Sequence, residues 1–270
     1  MNRMISKLIC TFLTIATFGS LYSQEAKGGS VFYEQTRELS FQEREEAAVK
    51  EILAGNIPDF LNNYVAISSI EKDANGQQHQ VTIYLLPDYL SIGNSLDYFI
   101  IPLSPMASTV VAKAFNASLP TPKVVDLIYE NSELKLEPFN YIPRGDRNET
   151  PDILYDHSKV IQAQIKAAGY SPGVFVAGTK KDLVISSKLS DPARQHHVTI
   201  YGWHRLNGKP IQPLYNGHIN TYVDYSHGTR LISNRVLIDG EEHNYGDILK
   251  NSLLYTLLSK ESGPLKKTTY

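Results

Sequence analysis

Behind Ser40 the apolar positions fall into a helical rhythm. Ala47, Ala48, Ile52 and Leu53 share one face, Ser40 and Glu43 have the spacing of a capping box, and Gly55 is placed to stop the helix. Residues 64–70 and 80–86 alternate instead. With Asn75-Gly76 between them they predict a hairpin, whose tight turn needs positive φ values. Residues 98–103 add another β-rich run. Three later segments repeat one device, a hydroxyl residue followed by proline: Ser104-Pro105, Thr121-Pro122 and Thr150-Pro151. The hydroxyl can cap a free N–H, and proline at the first helical position has no N–H to lose, so each predicts a helix start. Gly169 ends the third helix.

Beyond it the pattern turns to short strands, expected over residues 173–177, 182–187, 197–204, 221–226 and 230–238. Asn207-Gly208 and Asp239-Gly240 mark turns. A last helix is expected over residues 246–259, carrying Ile248, Leu249, Leu253, Leu254, Leu257 and Leu258. Helices and strands are segregated more than alternated, which predicts an α+β fold: a mixed or antiparallel sheet with flanking helices. Residues 40–270 read as a single elaborated domain and residues 24–39 as a flexible leader to it. Residues 138–150 read as a long loop bordering a cleft.

The first residues carry a different signal. Arg3 and Lys7 precede an apolar run over residues 8–18, too short to span a bilayer, and small residues follow at Gly19, Ser20 and Ser23. This order predicts a signal peptide over residues 1–23 and a secreted or periplasmic protein. Cys10, the single cysteine, lies inside that segment without the small residue before it that a lipid anchor requires. The exported chain would then hold no thiol, which excludes disulfides, thiolate zinc sites and cysteine nucleophiles. No later apolar run is long enough to cross a membrane.

A chain 42% hydrophobic has the material for a substantial core, so a disordered protein is excluded. The formal charge of −2 argues against a nucleic-acid binder that works through a basic surface. Neither a phosphate-cradling Gly-x-x-x-x-Gly-Lys nor a dinucleotide fingerprint is present, so no nucleotide cofactor is expected.

Of the 8 histidines, six fall between positions 196 and 243. Imidazole exchanges protons near neutrality and is also the commonest metal ligand. His204, His218, Asp224 and His227 are the candidate catalytic residues, with one histidine as general acid or base and Asp224 orienting it or holding a cation. Lys181, Trp203, Tyr225 and Arg230 are the candidate substrate-binding residues. In an extended strand His218 and Asp224 would stand roughly 20 Å apart at about 3.3 Å per residue, so only a bend at Asn220-Thr221 would bring them together.

Zinc is the one cofactor these residue types leave open, although neither His-Glu-x-x-His nor His-x-His occurs. Without a Gly-x-Ser-x-Gly elbow, Ser226 reads as a satisfied hydroxyl before it reads as a nucleophile. Lys180-Lys181-Asp182 reads first as a solvated loop and second as a cationic rim with Asp182 aimed inward. Lys266-Lys267 reads as a solvated tail.

The segments VAGTKKDLVIS, IYGWHRLNGKPIQPLY and YVDYSHGTRLI, with LLPDYLSIG and LPTPKVVDLIY before them, resemble a family of secreted bacterial proteins. The resemblance implies location and kinship but no reaction, cofactor or catalytic residue. From the residues themselves the expected function is a secreted hydrolase of an extracellular glycan, peptidoglycan or a related cell-wall polymer. The alternatives are a noncatalytic envelope or carbohydrate-binding protein using Trp203 and the tyrosines as contact faces, and a zinc-dependent hydrolase.

Overall fold

The structure, a computed structural model, describes residues 27–143 and 145–270. The expected signal peptide and the first residues of the expected leader lie outside the described residues. The rest of that leader is not loose chain. Helix α1 (Gly29–Thr36) buries Phe32 against Phe99 and stacks Tyr33 on Tyr155 at 4.3 Å. Gly29 lies against the Tyr98–Phe99 backbone so closely that a Cβ there would come within 2.4 Å of Phe99 N. The aromatic pair after the polar QEAKGGS stretch is what converts the segment into a packed element.

Helix α2 (Phe41–Leu53) starts on the expected capping box, with the Ser40 and Glu43 side chains each bonded to the other's backbone N–H. Strands β1 (Val65–Lys72) and β2 (Gln78–Leu85) form the hairpin. At its tip only Gly76 takes a positive φ, while the Asp73 carboxylate accepts the Asn75 and Gln77 N–H groups. Strands β3 (Ser91–Gly93) and β4 (Tyr98–Ile100) pair with each other.

Helix α3 (Pro105–Ala114) is capped by Ser104, and after the short strand β5 (Ala117–Ser118) helix α4 (Pro122–Asn131) is capped by Thr121. Beyond β6 (Leu134–Lys135), helix α5 (Pro151–Ala167) has proline at its first position, yet the Thr150 hydroxyl donates to the Arg147 carbonyl instead of capping.

Four expected strands of the second half form, each shorter than its expected run: β7 (Val176–Ala177), β8 (Lys181–Leu183), β9 (Ile200–His204) and, after two strands outside the expected runs, β10 (Pro210–Tyr215) and β11 (His227–Gly228), β12 (Ile232–Ile238); β13 (Glu241–Asn244) also lies outside them. The strand expected over residues 221–226 is absent. Asp224 accepts both the N–H and the hydroxyl of Ser226, an Asx turn that competes with extended pairing. The expected last helix is two, α6 (Tyr245–Lys250) and α7 (Tyr255–Leu258), because the Asn251 side chain accepts the Leu253 and Leu254 N–H groups at the break.

These elements make an α+β fold, and the main core runs through α2, α3, α4, β2, β9, β12 and α6. The largest sheet runs β1-β2-β12-β13 with β5 beside β12, all antiparallel. The second runs β10-β9-β8-β11, where β8 and β11 are parallel and the other pairs antiparallel. No helix among the described residues is long and apolar enough to cross a membrane.

Candidate functional site

Strand β9 does not keep the two-residue alternation expected of it. Gly202 takes φ +105° and Trp203 φ +57°, a left-handed conformation rare for a bulky residue and costing about 1–3 kcal/mol. Tyr201 and His204 would face opposite ways in a regular strand. Here both reach Asp126 Oδ1 on α4, at 2.8 and 3.1 Å. Lys260 adds a 2.6 Å contact to the other carboxylate oxygen. Burial would raise the Asp126 pKa, but the bonds from His204, Lys260 and Tyr201 outweigh it and hold the carboxyl below its ordinary value. His204 also stacks on Tyr129, and the group lines an open cleft of about 540 Å³. It is thereby separated from the histidines with which the sequence groups it.

His218, Asp224 and His227 do come together. The chain turns at Asn220-Thr221, closed by the Tyr222 N–H on the Ile219 carbonyl. His218 then stacks on Tyr222 at 4.2 Å, and the Tyr222 hydroxyl donates to Asp224 Oδ2 at 3.2 Å. Lys181 Nζ stands 3.8 Å from the same oxygen, and His227 Nε2 stands 3.9 Å from Oδ1. Lys181 also lies over the Trp203 ring, 5.3 Å from its centroid. Four separate pieces of chain therefore meet: β8, β9, the His218 turn and the loop over residues 222–227. The segment over residues 137–150 borders them, since Asn148 accepts the Tyr225 N–H and the Tyr225 hydroxyl accepts the Tyr141 N–H.

The cluster has an outer and an inner layer. Lys181, His218 and Tyr222 are partly exposed, whereas Asp224, Ser226 and His227 are buried. Burial opposes ionisation of Asp224, but the charges of His227 and Lys181 and the bonds from Ser226 hold its pKa well below the ordinary carboxylate range. Burial lowers His218 and takes His227 down to about 4 despite the neighbouring Asp224. At neutral pH Asp224 is therefore a carboxylate anion and the two imidazoles beside it are neutral. Among the described residues neither His227 nitrogen nor Trp203 Nε1 has a hydrogen-bond partner, so the inner layer holds unused polar capacity.

Beneath it lies a polar network that sequence reasoning did not find. Lys180, read as part of a solvated loop, is fully buried. Its amine donates to the Tyr225 carbonyl at 2.6 Å and meets His157 Nδ1 at 3.1 Å, while His157 Nε2 donates to the Phe139 carbonyl. Desolvation brings the Lys180 pKa down to about 7. Asp182 points inward, accepting the Tyr89 hydroxyl at 3.0 Å, and burial raises its pKa to about 6. The adjacent Lys-Lys-Asp triplet was the available signal, because two-residue alternation on a strand puts Lys180 and Asp182 on the face opposite Lys181.

Three expected substrate contacts need correction. Arg230 is wholly buried, with its guanidinium donating to the Leu86, Pro87 and Val176 carbonyls and packed over Tyr89. It ties β2 to β7 and is closed to an anionic ligand. Trp203 and Tyr225 are 3% and 5% exposed, so neither offers a surface ring for stacking. Ser226 has its hydroxyl on Asp224. Elsewhere His79 pairs with Asp239 at the hairpin, and His196 and His197 line a different cleft.

Among the described residues no three His, Cys, Asp or Glu side chains are set to hold a metal ion. What this arrangement can do chemically is move a proton at His218 beside a fixed anion and a fixed cation. Comparison with family models, curated proteins and solved structures returns no match for the chain.

Proposed function

We propose that the protein is a secreted hydrolase of an extracellular glycan, peptidoglycan or related polymer, with its reaction centre at Lys181, His218, Tyr222 and Asp224. The supporting observation is the meeting of three partly exposed side chains, Lys181, His218 and Tyr222, around the buried Asp224 carboxylate. Location rests on the order of charge, apolar run and small residues at the start of the chain.

In this reading His218, kept neutral by burial, takes a proton from the attacking water and passes it to the leaving group. Asp224 favours the imidazolium that forms between those steps, and at an amide or ester bond of such a polymer Lys181 faces the negative charge that develops on the carbonyl oxygen. His227 and Trp203 position Asp224 and Lys181 without touching substrate. The reading with aromatic contact faces gains no support from rings as buried as Trp203 and Tyr225.

The test is release of soluble fragments from purified cell-wall sacculi and a panel of extracellular polysaccharides, measured by reducing ends and mass spectrometry. On a polymer that is cut, His218→Ala is expected to lower kcat by about 10² to 10⁴, the range of placed acid–base catalysis. His204→Ala is expected to stay within about threefold, because its imidazole belongs to Asp126. Turnover by His218→Ala within threefold of the parent protein, or no cleavage of any polymer, overturns the proposal.

A further inference from the structure

The Lys266-Lys267 tail is not simply solvated. Leu265 is buried and its N–H bonds the Leu249 carbonyl, while the Tyr270 hydroxyl bonds the Val184 and Thr199 carbonyls and accepts the Thr199 N–H. Pinned at both ends, the segment forms one wall of a cleft of about 550 Å³. Arg194, His196, His197, Lys250, Lys266 and Lys267 all line it, and no Asp or Glu side chain does.

Among the described residues none of these four lysine and arginine side chains forms an ion pair. Buried His197 Nδ1 has no hydrogen-bond partner. A chain with formal charge −2 thus gathers four unneutralised cations in one concavity. All four are exposed, so solvent screens much of their mutual repulsion, and an anion seated among them would relieve the rest. Lys250, Thr268 and Thr269 also line a neighbouring cleft of about 480 Å³, which adds Lys113 and one carboxylate, Asp247, so the two form one trough with its positive charge concentrated in the first cleft.

We propose that this trough binds a ligand bearing two or more phosphate or sulfate groups. The lysine ammonium groups and the Arg194 guanidinium supply charge-assisted donors, and the threonine hydroxyls supply neutral ones. The cleft volume is in the range of sites for small organic ligands, so the ligand covers more than a single oxyanion. The cleft adjoins the reaction centre through the Asn220 turn, which lines it between His218 and Tyr222, but the proposal does not depend on the proposed hydrolysis.

The experiment is calorimetric titration of the purified protein with inorganic tripolyphosphate and, separately, with a trisulfated disaccharide, at about 50 and 200 mM salt. Expected is one-to-one binding of at least one probe, weakened at least tenfold by the exposed-site double variant Lys266→Gln/Lys267→Gln and weakened again by salt. Preference for tripolyphosphate assigns a phosphorylated ligand, and preference for the disaccharide a sulfated one. Lys50→Gln, on α2 outside the trough, serves as the charge control, and unchanged thermal unfolding shows that the variants are folded. Binding of neither probe below about millimolar concentration, or equal loss in Lys50→Gln and the double variant, overturns the proposal.

Discussion

Lys180 turns its amine inward to the Tyr225 carbonyl and the His157 ring, and this fixes the direction of a pH effect. Burial favours the neutral amine, so the folded chain releases this proton near pH 7 while the unfolded chain keeps it to about 10.4. Between those values the unfolded state binds more protons, and stability rises with pH. Thermal unfolding scans are expected to show Tm rising from pH 7 to pH 9 in the parent protein. In Lys180→Met the rise flattens, even though the lost hydrogen bonds lower Tm throughout. Equal slopes in the two proteins would show that the amine is charged in the fold.

Gly202 poses a second residue-scale question. A Cβ there would sit 3.1 Å from Val125 Cγ1 on a backbone at φ +105°. Gly202→Ala is therefore expected to destabilise by about 1–3 kcal/mol in denaturant titration. It should also disturb the Tyr201 and His204 contacts to Asp126, because those depend on the broken alternation of β9.

At the scale of elements, helix α1 is the sharpest departure from the sequence reading. Phe32→Ala is expected to cost about 3–5 kcal/mol, the range for emptying a buried aromatic site. A loss below about 0.5 kcal/mol would mean that the helix contributes no packing. Thr121→Ala removes both a cap and the hydroxyl's bond to the Leu258 carbonyl, and about 0.5–2 kcal/mol is expected for the cap alone.

Legibility followed range. The capping box at Ser40, the hairpin around Gly76 and the proline starts at Pro105 and Pro122 depend on residues within a turn of each other, and they were readable. The grouping of Asp224 with Ser226 and His227 was readable for the same reason. Asp126, Lys180 and Arg230 acquire their roles from partners 23 to 144 positions away, which no local pattern encodes. The strand expected over residues 221–226 failed because side-chain turns at Asp224 outcompeted β propensity.

On the scale of the whole molecule, β2 and β12 are neighbours in the main sheet, with Val81 opposite Ile238, although the candidate reaction centre lies between them in the chain. The stretch from Leu86 to Leu231 is thus a long excursion closed by one antiparallel seam. One of its exposed fold-backs, the turn from Arg205 to Lys209, where Leu206 is 59% exposed, carries a basic residue at each end. Trypsin should nick there first, and the two pieces should stay joined through β2–β12, β8–β11 and β9–β10. Severed protein would then migrate as one species on a native gel and as two under denaturing conditions. Fragments of this kind could be made separately and mixed, so that each reaction-centre residue is replaced on whichever half carries it.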